Sequence, residues 1–349
     1  MFIVIAILAF GVLIAIHEFG HFISAKLLGV KVDEFSIGMG PAIWKRRRGE
    51  TLYALRCLPI GGYCALEGED EDTGDERAFM AKPVWKKLII LAAGSFMNFL
   101  LGLALVLMIF SQAWGFNATL VAEVSPESSF YGVVEPGDLL YSIDGHRTWF
   151  TADIELFLQR NTTGVYDIVV ERGGEKLERT DVEIAPYDDG SGNMVYGFSF
   201  RVEKATFWNR IQYAWYNCMD FVRMVYLSLA DLVRGLVGLD DMTGVVGIVD
   251  MINDVGSETA AEEGMFNALL DVANLVAFIA VNLAVMNLLP IPGLDGGRIF
   301  FVLLGAIVKL FNHRGIPSRL EGWVNAAGLV AMLALMAVIM FNDISRLIK

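Results

Sequence analysis

The sequence predicts an α-helical polytopic membrane protein with four transmembrane helices, a membrane-associated β-hairpin and one small extracytoplasmic α+β domain. Hydrophobic residues make up 55% of the 349 residues and charged residues only 19%, and the mean hydropathy is +0.52. These values lie outside the range of ordinary soluble domains and indicate several membrane spans. The net charge of −13 argues against nucleic acid as a partner, because phosphates repel an acidic surface.

The first span, predicted over residues 1–30, is largely apolar but carries three polar residues within about one and a half helical turns: His17, Glu18 and His21. On a helix, positions i and i+4 project from one face, so the two imidazoles can bind one metal ion. Glu18 is placed to hold and deprotonate a water molecule at that metal. Scattered polar residues on a half-buried helix are the competing interpretation. It is disfavoured because the chain has only four histidines and because polar groups are costly at membrane depth.

The start of the chain resembles a secretory signal peptide only in its hydrophobicity. It lacks a basic n-region and a small-residue cleavage site, so we interpret it as a retained first helix. Basic residues at 45–48 place the following loop in the cytoplasm by the positive-inside rule. The first helix then runs from outside to inside, with its polar motif near the cytoplasmic face.

Residues 31–87 are predicted to form a cytoplasmic or membrane-reentrant β-hairpin and a loop. Two extended segments, around 35–39 and 52–58, are joined by a tight basic turn. A small solvated hairpin fits this pattern equally well. Residues 67–76 are acidic and rich in turn formers, and predict a solvated loop. The second span follows over residues 88–112.

A soluble domain is predicted over residues 113–186. Between residues 111 and 264 acidic residues outnumber basic ones by more than two to one, as expected of an exported segment. Strands are predicted over 119–124, 139–143 and 166–171, with a short helix over 152–159. This order of elements is typical of a small peptide-binding domain.

An extracytoplasmic linker is predicted over residues 187–264. It contains an amphipathic helix over 204–238, too charged to span a membrane comfortably and suited to its surface. A further span at this position is the alternative. Residues 240–263 are predicted to form a polar, glycine-containing loop.

The third span, over residues 265–311, is interrupted by two prolines and several glycines before apolar helix resumes at Ile299. Broken helices occur in membranes where they line a buried or wet site. Asp295 lies in this break at the depth expected for His21, and is the best candidate for a third metal ligand. A helix-capping aspartate is the simpler interpretation of this residue alone. A basic cytoplasmic loop over 312–322 and a fourth span over 323–349 complete the topology.

These motifs together resemble the site-2 protease family of intramembrane zinc metalloproteases. The resemblance rests first on the run from His17 to His21 and on Leu294-Asp295-Gly296. In the bacterial branch, further matches are a membrane-reentrant hairpin (35–41 and 58–63), a Gly-Pro-x-x-Asn-Phe motif (94–99), an Asn-x-x-Pro…Asp-Gly stretch (287–296) and the ligand-binding end of a single PDZ domain (132–145). Two departures are Ser95, where the family tends to have proline, and Val245, where a Gly-Pro-Val-Gly pattern would be usual.

The resemblance implies one Zn²⁺ per chain, with His17, His21 and Asp295 as ligands and Glu18 as general base. It also implies substrate contacts for Asn98 and Asn287, and for Gly61 and Gly62 of the hairpin. Hydrogen bonding between helices is an equally good interpretation of the two asparagines. The three cysteines, Cys57, Cys64 and Cys218, form no CxxC pair and are predicted to be free thiols.

The implied activity is hydrolysis of peptide bonds in or near transmembrane helices during regulated intramembrane proteolysis. Expected substrates are single-span membrane proteins such as anti-sigma factors or signal-peptide remnants, in the bacterial cytoplasmic membrane. The active site would face the cytoplasm, and an extracytoplasmic PDZ-like domain would bind or filter substrates. A non-proteolytic PDZ scaffold and a metal transporter are the alternatives. A scaffold does not need an intact metal motif. A metal transporter needs further polar residues along a path across the bilayer.

Overall fold

The computed structural model describes residues 1–69, 73–190, 194–238, 242–311 and 318–348. Two compact units can be distinguished: a membrane unit of Met1–Ile109 with Asn217–Lys349, and a β unit of Phe110–Tyr216. The elements in chain order are α1 (Phe2–Leu27), β1 (Val32–Arg48), β2 (Thr51–Leu66), α2 (Val84–Ser111), β3 (Gly115–Val124), β4 (Leu139–Ile143), β5 (His146–Arg147), α3 (Thr151–Arg160), β6 (Val165–Arg172), β7 (Glu175–Glu183), β8 (Tyr187–Asp188), β9 (Met194–Val195), β10 (Phe198–Lys204), α4 (Phe207–Val233), α5 (Val245–Glu262), α6 (Met265–Leu288), α7 (Asp295–Phe311) and α8 (Ser318–Ile348).

Within the described part of the chain, four helices are long and apolar enough to cross a membrane. They are α1, α2, α6 and the stretch Gly322–Arg346 of α8. In a helix every interior backbone N–H and C=O is bonded within the segment, which is what a hydrocarbon environment requires. The prediction of four apolar helices is confirmed, and the chain is a multi-pass membrane protein. Of the predicted cytoplasmic loop over 312–322, residues 312–317 lie outside the described part of the chain.

The N-terminal half of α1 packs against α5 and α6. Phe2 and Leu13 of α1, Ile252 of α5 and Val272 of α6 belong to one buried cluster. A Cβ at Gly256 of α5 would lie 2.5 Å from the Phe2 ring, so only glycine allows this approach. The first half of the metal-motif helix is therefore held by α5 and α6.

The polar loop predicted over 240–263 is wrong for most of its length. Residues Val245–Glu262 form α5, because Ile248, Val249 and Ile252 recur at helical spacing and pack into the core. Its N-terminal amides are capped by Asp343 of α8, whose carboxylate accepts hydrogen bonds from the backbone of Gly244 and Gly247 at 3.1 and 2.9 Å. Residues 239–241 lie outside the described chain.

The hairpin of β1 and β2 is longer and more folded than the sequence predicts. Residues 34–37 of β1 pair with residues 62–65 at one edge and with 52–55 at the other, and residues 42–48 pair with 51–56. Several register irregularities allow the two strands to fold over one another into a small sheet. The Gly40-Pro41 dipeptide does not end β1, since the strand continues to Arg48. Of the acidic loop that follows, residues 70–72 are outside the described chain.

The turn of this hairpin is fastened to neighbouring segments by charge. Glu50 accepts hydrogen bonds from Arg77 at 2.8 Å and from Lys26 at 2.5 Å. These bonds, with that from Arg77 the stronger influence, lower the pKa of Glu50 to about 2. The hairpin turn is thus tied to the C-terminal end of α1.

The helix break between α6 and α7 is a tight turn that depends on glycine. Gly293 has φ +94, in the left-handed region. A Cβ at Gly296 would lie 2.1 Å from the Leu289 carbonyl oxygen, so the first turn of α7 rests directly on the end of α6. Helix α7 begins at Asp295 rather than at the predicted Ile299, and Asp295 is its first residue.

The β unit contains a sheet in the order β10-β3-β4-β6-β7, with β5 paired to β4. The strands and the helix predicted at 119–124, 139–143, 152–159 and 166–171 correspond to β3, β4, α3 and β6. Its core includes Phe130, Leu140, Ile154 and Ile168, all 2% exposed or less. The sheet continues beyond residue 186, where the sequence predicts the domain to end, because β10 pairs with β3. Residues 191–193 are outside the described chain.

The amphipathic segment predicted over 204–238 is helical over Phe207–Val233, which is α4. Its first turn exposes Phe207 and Trp208, whereas Ala214, Cys218 and Phe221 further along are buried. The three buried residues recur at i, i+4 and i+7 and so share one face of α4, which agrees with an amphipathic character.

Candidate metal centre

Two glycines let α1 and α2 approach closely beside the predicted metal motif. A Cβ at Gly20 would lie 2.3 Å from the carbonyl oxygen of Ala93. A Cβ at Gly94 would lie 2.4 Å from Nε2 of His21 and 2.7 Å from Cε1 of His17. Both imidazoles therefore occupy space that any other residue at position 94 would fill.

The three candidate ligand atoms meet at one point. Nε2 of His17 lies 3.2 Å from Nε2 of His21, and Oδ2 of Asp295 lies 3.2 and 3.3 Å from these two nitrogens. Ligands at about 2.0–2.1 Å in a tetrahedral zinc shell are separated from one another by about 3.3–3.4 Å. The observed separations fit a single zinc ion.

The hydrogen bonding of these residues favours a metal as well. Nδ1 of His21 lies 2.8 Å from the carbonyl oxygen of Ile90 in α2. A carbonyl only accepts, so Nδ1 carries the proton and Nε2 presents its lone pair to the centre. Oδ2 of Asp295 is buried and forms no well-aligned hydrogen bond among the described residues, although both histidines are near. Burying a carboxylate oxygen without such a bond costs free energy unless a cation lies next to it.

Glu18 lies beside this cluster and against the hairpin. The position of a Cβ on Gly62 in β2 would be 3.1 Å from Cγ of Glu18 and 3.0 Å from the Ser36 carbonyl oxygen. Gly62 therefore brings the backbone of β2 to the side chain of Glu18. Its neighbour Gly61 has φ +81, and a Cβ there would lie 2.5 Å from the Met39 side chain.

The thiol nearest to this region remains protonated. Burial, together with the nearby charge of Glu18, raises the pKa of Cys64 to about 12. A neutral thiol is a poor metal ligand and a poor nucleophile. All three cysteines are free, as predicted.

The two candidate asparagines differ in their surroundings. Asn98 is 1% exposed on α2, one turn beyond Gly94, and its Oδ1 has no hydrogen-bond partner in the described chain. Ser95 is fully buried, and its hydroxyl likewise lacks a partner there. Asn287 is half-buried near the end of α6. Within the described ranges, the amide oxygen of Asn98 takes no part in bonding between helices.

A cavity of about 570 Å³ opens beside Asp295. Its wall includes Glu69, Arg298 and Asn325 as polar groups, and Phe301 and Leu329 as apolar ones. Gly94, Glu69 and Arg298 were not predicted to have a role at the centre. Gly94 belongs to the motif over 94–99, which could have indicated its role. Glu69 and Arg298 are separated by more than half of the chain, so no local pattern relates them.

Residues 5–335 match peptidase family M50. The chain belongs to this family. Relatives of this M50 protein include the "Putative zinc metalloprotease" of Clostridium perfringens, 36% identical over 347 residues, which cover 99% of this chain and 98% of the relative. The "Regulator of sigma-W protease RasP" of Bacillus subtilis is 26% identical over 424 residues, covering 98% and 97%. The "Zinc metalloprotease RasP" of Bacillus licheniformis is 27% identical over 427 residues, covering 98% of each chain.

This M50 protein is a zinc metalloprotease of the site-2 type. The match extends over nearly the whole chain, and its relatives are named as zinc enzymes. With the four apolar helices, membership makes it a zinc intramembrane protease. The sequence-based predictions of family, enzyme class and cofactor are confirmed.

Proposed function

We propose that His17, His21 and Asp295 bind the catalytic zinc ion and that Glu18 is the general base of peptide hydrolysis. The observation that carries this proposal is the convergence of the three ligand atoms at separations of 3.2–3.3 Å, with Glu18 one residue from a ligand. Three protein ligands leave a fourth position open, as catalytic zinc sites require. Zinc, when bound, supplies Lewis acidity to a water molecule and to the scissile carbonyl.

Glu18 would take the proton of the attacking water and return it to the leaving amine. Its half-buried side chain lies between the metal ligands and β2. A carboxylate in this position can reach both a water molecule at the centre and a peptide at the edge of the hairpin. His21 is oriented for its role by its Nδ1 bond to Ile90.

The hairpin would hold an extended segment of the substrate. A peptide in an intact helix offers no free carbonyl, so part of the substrate helix must unwind before cleavage. Residues 62–65 pair with β1 at one edge and have no strand partner at the other within the described chain. An unwound segment can add there as a further strand, next to Glu18. Gly61 and Gly62 would then contact substrate backbone.

Asn98 and Asn287 are proposed as further substrate contacts. The unpartnered Oδ1 of Asn98 supports this role, because a buried amide oxygen without a bond is costly unless a ligand satisfies it. Either amide could clamp the unwound backbone or donate to the developing oxyanion. Substrates of this type are single-span membrane proteins, with anti-sigma factors and signal-peptide remnants as examples, cleaved in regulated intramembrane proteolysis.

The proposed location is the bacterial cytoplasmic membrane, with the metal centre toward the cytoplasm. The basic residues at 45–48 and 309–319 support this orientation. The β unit would be extracytoplasmic and act as a PDZ-like domain that binds or filters substrates. The acidic character of the sequence between residues 111 and 264 supports export.

The test uses the full-length protein in detergent with a single-span helical substrate. Glu18→Gln should retain one zinc per chain but lower the cleavage rate by about 10² to 10⁴-fold, whereas His21→Ala or Asp295→Ala should lose zinc. A chelator should stop cleavage by the native protein, and added zinc should restore it. Zinc is measured by elemental analysis and cleavage by product separation.

Glu258→Gln, which changes an exposed carboxylate of α5, is the matched control and should leave both readouts unchanged. A fully active Glu18→Gln protein would exclude Glu18 as the general base. An Asp295→Ala protein that still holds zinc as tightly as the native protein would remove Asp295 from the ligand set.

A further inference from the structure

Glu69 joins the end of the hairpin to the first turn of α7. One carboxylate oxygen, Oε2, accepts a hydrogen bond from the backbone N–H of Leu66, the last residue of β2, at 3.4 Å. The other, Oε1, forms an ion pair with Nη1 of Arg298. Both side chains are largely shielded from solvent, with exposures of 22% and 30%. A single carboxylate thus contacts two elements that are distant in the sequence.

Arg298 and Asp295 belong to the same helical turn. Asp295 is the first residue of α7, and a residue three positions further lies on the same side of a helix. The backbone N–H of Arg298 also bonds to the carbonyl of Leu294, at 3.3 Å. A force on the Arg298 side chain therefore acts on the turn that carries Asp295.

The segment that contains Glu69 is itself firmly placed. Glu67 and Gly68 accept backbone hydrogen bonds from Phe79 and Met80 at 2.7 and 3.1 Å. Leu66 and Phe79 are buried in a cluster that also receives Ile299 and Val302 of α7 at its border. Glu69 consequently reaches Arg298 from a fixed base rather than from a free loop.

The geometry points to Glu69 and Arg298 as a positioning pair that couples the substrate-binding hairpin to the metal ligand Asp295. The inference rests on the proposed roles of the hairpin and of Asp295. Both residues line the cavity beside Asp295. The Asp295 carboxylate must stay within about 3.3 Å of two nitrogens on α1 to share one zinc ion. The ion pair restrains α7 from the hairpin side, while Gly296 restrains it from the side of α6.

The experiment measures the rate of zinc release to a colorimetric chelator from full-length protein in detergent. Glu69→Gln and Arg298→Gln should each accelerate release at least tenfold, because Asp295 is then less well held. The charge-swapped protein, Glu69→Arg with Arg298→Glu, should return the rate to within about threefold of the native value. Absorption spectra of Co²⁺-substituted proteins should show altered ligand geometry in the single variants and its recovery in the swap.

Glu67→Gln is the matched control. Glu67 lies two residues from Glu69 and pairs with Lys31 at 2.7 Å, at the same end of the hairpin. This substitution should change the release rate less than twofold. If Glu69→Gln is not folded by thermal unfolding, Glu69→Asp, which keeps the charge and shortens the side chain, takes its place and should show a smaller acceleration.

A folded single variant that releases zinc at the native rate overturns the inference. A folded swap that remains as fast as the single variants also overturns it. If the native protein holds no zinc at all, the proposed metal site fails. If native and variant proteins hold zinc equally well, only the coupling fails, so the two failures are distinguishable.

Discussion

The candidate metal centre requires that one residue, Gly94, has no side chain. Gly94 presents no side chain where α2 passes the two histidines, and their rings occupy that space. The same glycine sits one turn before Asn98, whose amide oxygen is buried without a partner in the described chain. Close approach of the two helices and placement of polar groups are therefore achieved by the same short segment of α2.

Gly94→Ala should weaken zinc binding by about 5- to 150-fold and lower cleavage accordingly. The added methyl would lie 2.4 Å from Nε2 of His21, so either the imidazole or the helix must move, at a cost of about 1–3 kcal/mol. Zinc content and substrate cleavage are the measurements. Gly11→Ala, in open space on α1, is the control and should behave like the native protein. A Gly94→Ala enzyme with normal zinc and activity would show that the contact is not restrictive.

Asp138 makes the β unit sensitive to acid. Its carboxylate is 1% exposed and bonded to Arg172 at 2.7 and 2.8 Å, and these bonds hold its pKa below the usual range. The stabilisation is present above the ordinary aspartate pKa of about 3.9 and is lost as the pH falls through the lowered value. Hydrogen exchange of β4 and β6 should therefore accelerate, after correction for the intrinsic rate, as the pH falls below about 4.

Asp138→Asn should weaken this dependence and destabilise the unit by about 1–3 kcal/mol at neutral pH, because Arg172 then loses its buried carboxylate partner and keeps only the exposed Glu135. Glu155→Gln, an exposed carboxylate of α3, serves for comparison. Equal acid dependence in native and Asp138→Asn proteins would mean that another carboxylate is responsible.

The small sheet of the hairpin has two edges, and only one of them lies beside Glu18. Residues 62–65 form the edge beside Glu18, whereas residues 42–48 lie at the far side of the small sheet. Ala65→Pro should lower cleavage at least tenfold without loss of zinc, since proline disrupts strand pairing. Ala42→Pro, the same exchange at the far edge, should retain most activity. Zinc content and thermal unfolding are measured for both.

Equal losses for Ala65→Pro and Ala42→Pro would argue against substrate pairing at the edge near Glu18. Loss of zinc in the Ala65→Pro protein alone would instead indicate that the strand supports the metal centre.

Element types were predictable where the local pattern is strong. The apolar spans and the break at Asp295 are visible because polarity, proline and glycine act locally. Helix α5 was missed because residues such as Asp254 and Glu258 make its sequence look solvated, and its cap, Asp343, comes from the last helix. Similarly, the spacing of His17 and His21 indicates a metal. The contacts of Gly94 and of Glu69 depend on tertiary packing that no local pattern encodes.

At the scale of the whole molecule, the β unit can be separated from the membrane unit by a deletion. Because β10 pairs with β3, the deletion must remove residues 115–204 rather than end at 186. If the unit filters substrates, the shortened protein should cleave substrates with large outer domains that the native protein rejects. If it reads substrates, cleavage of native substrates should fall. Cleavage of a short single-span helix is the measurement common to both, and zinc content verifies the remaining centre.

The centre formed by α1 and α7 also has a consequence for biosynthesis. His17 and His21 of α1 are synthesised before Asp295 of α7, and α2 and α6 lie between them in the chain. Until then the first helix carries three polar groups into the bilayer without their partners, at a considerable cost. With the proposed ligand set, metal loading would therefore follow the synthesis of α7. A chain arrested before α7 would lack one of the three proposed ligands, and the unfinished protease would stay inactive in the membrane.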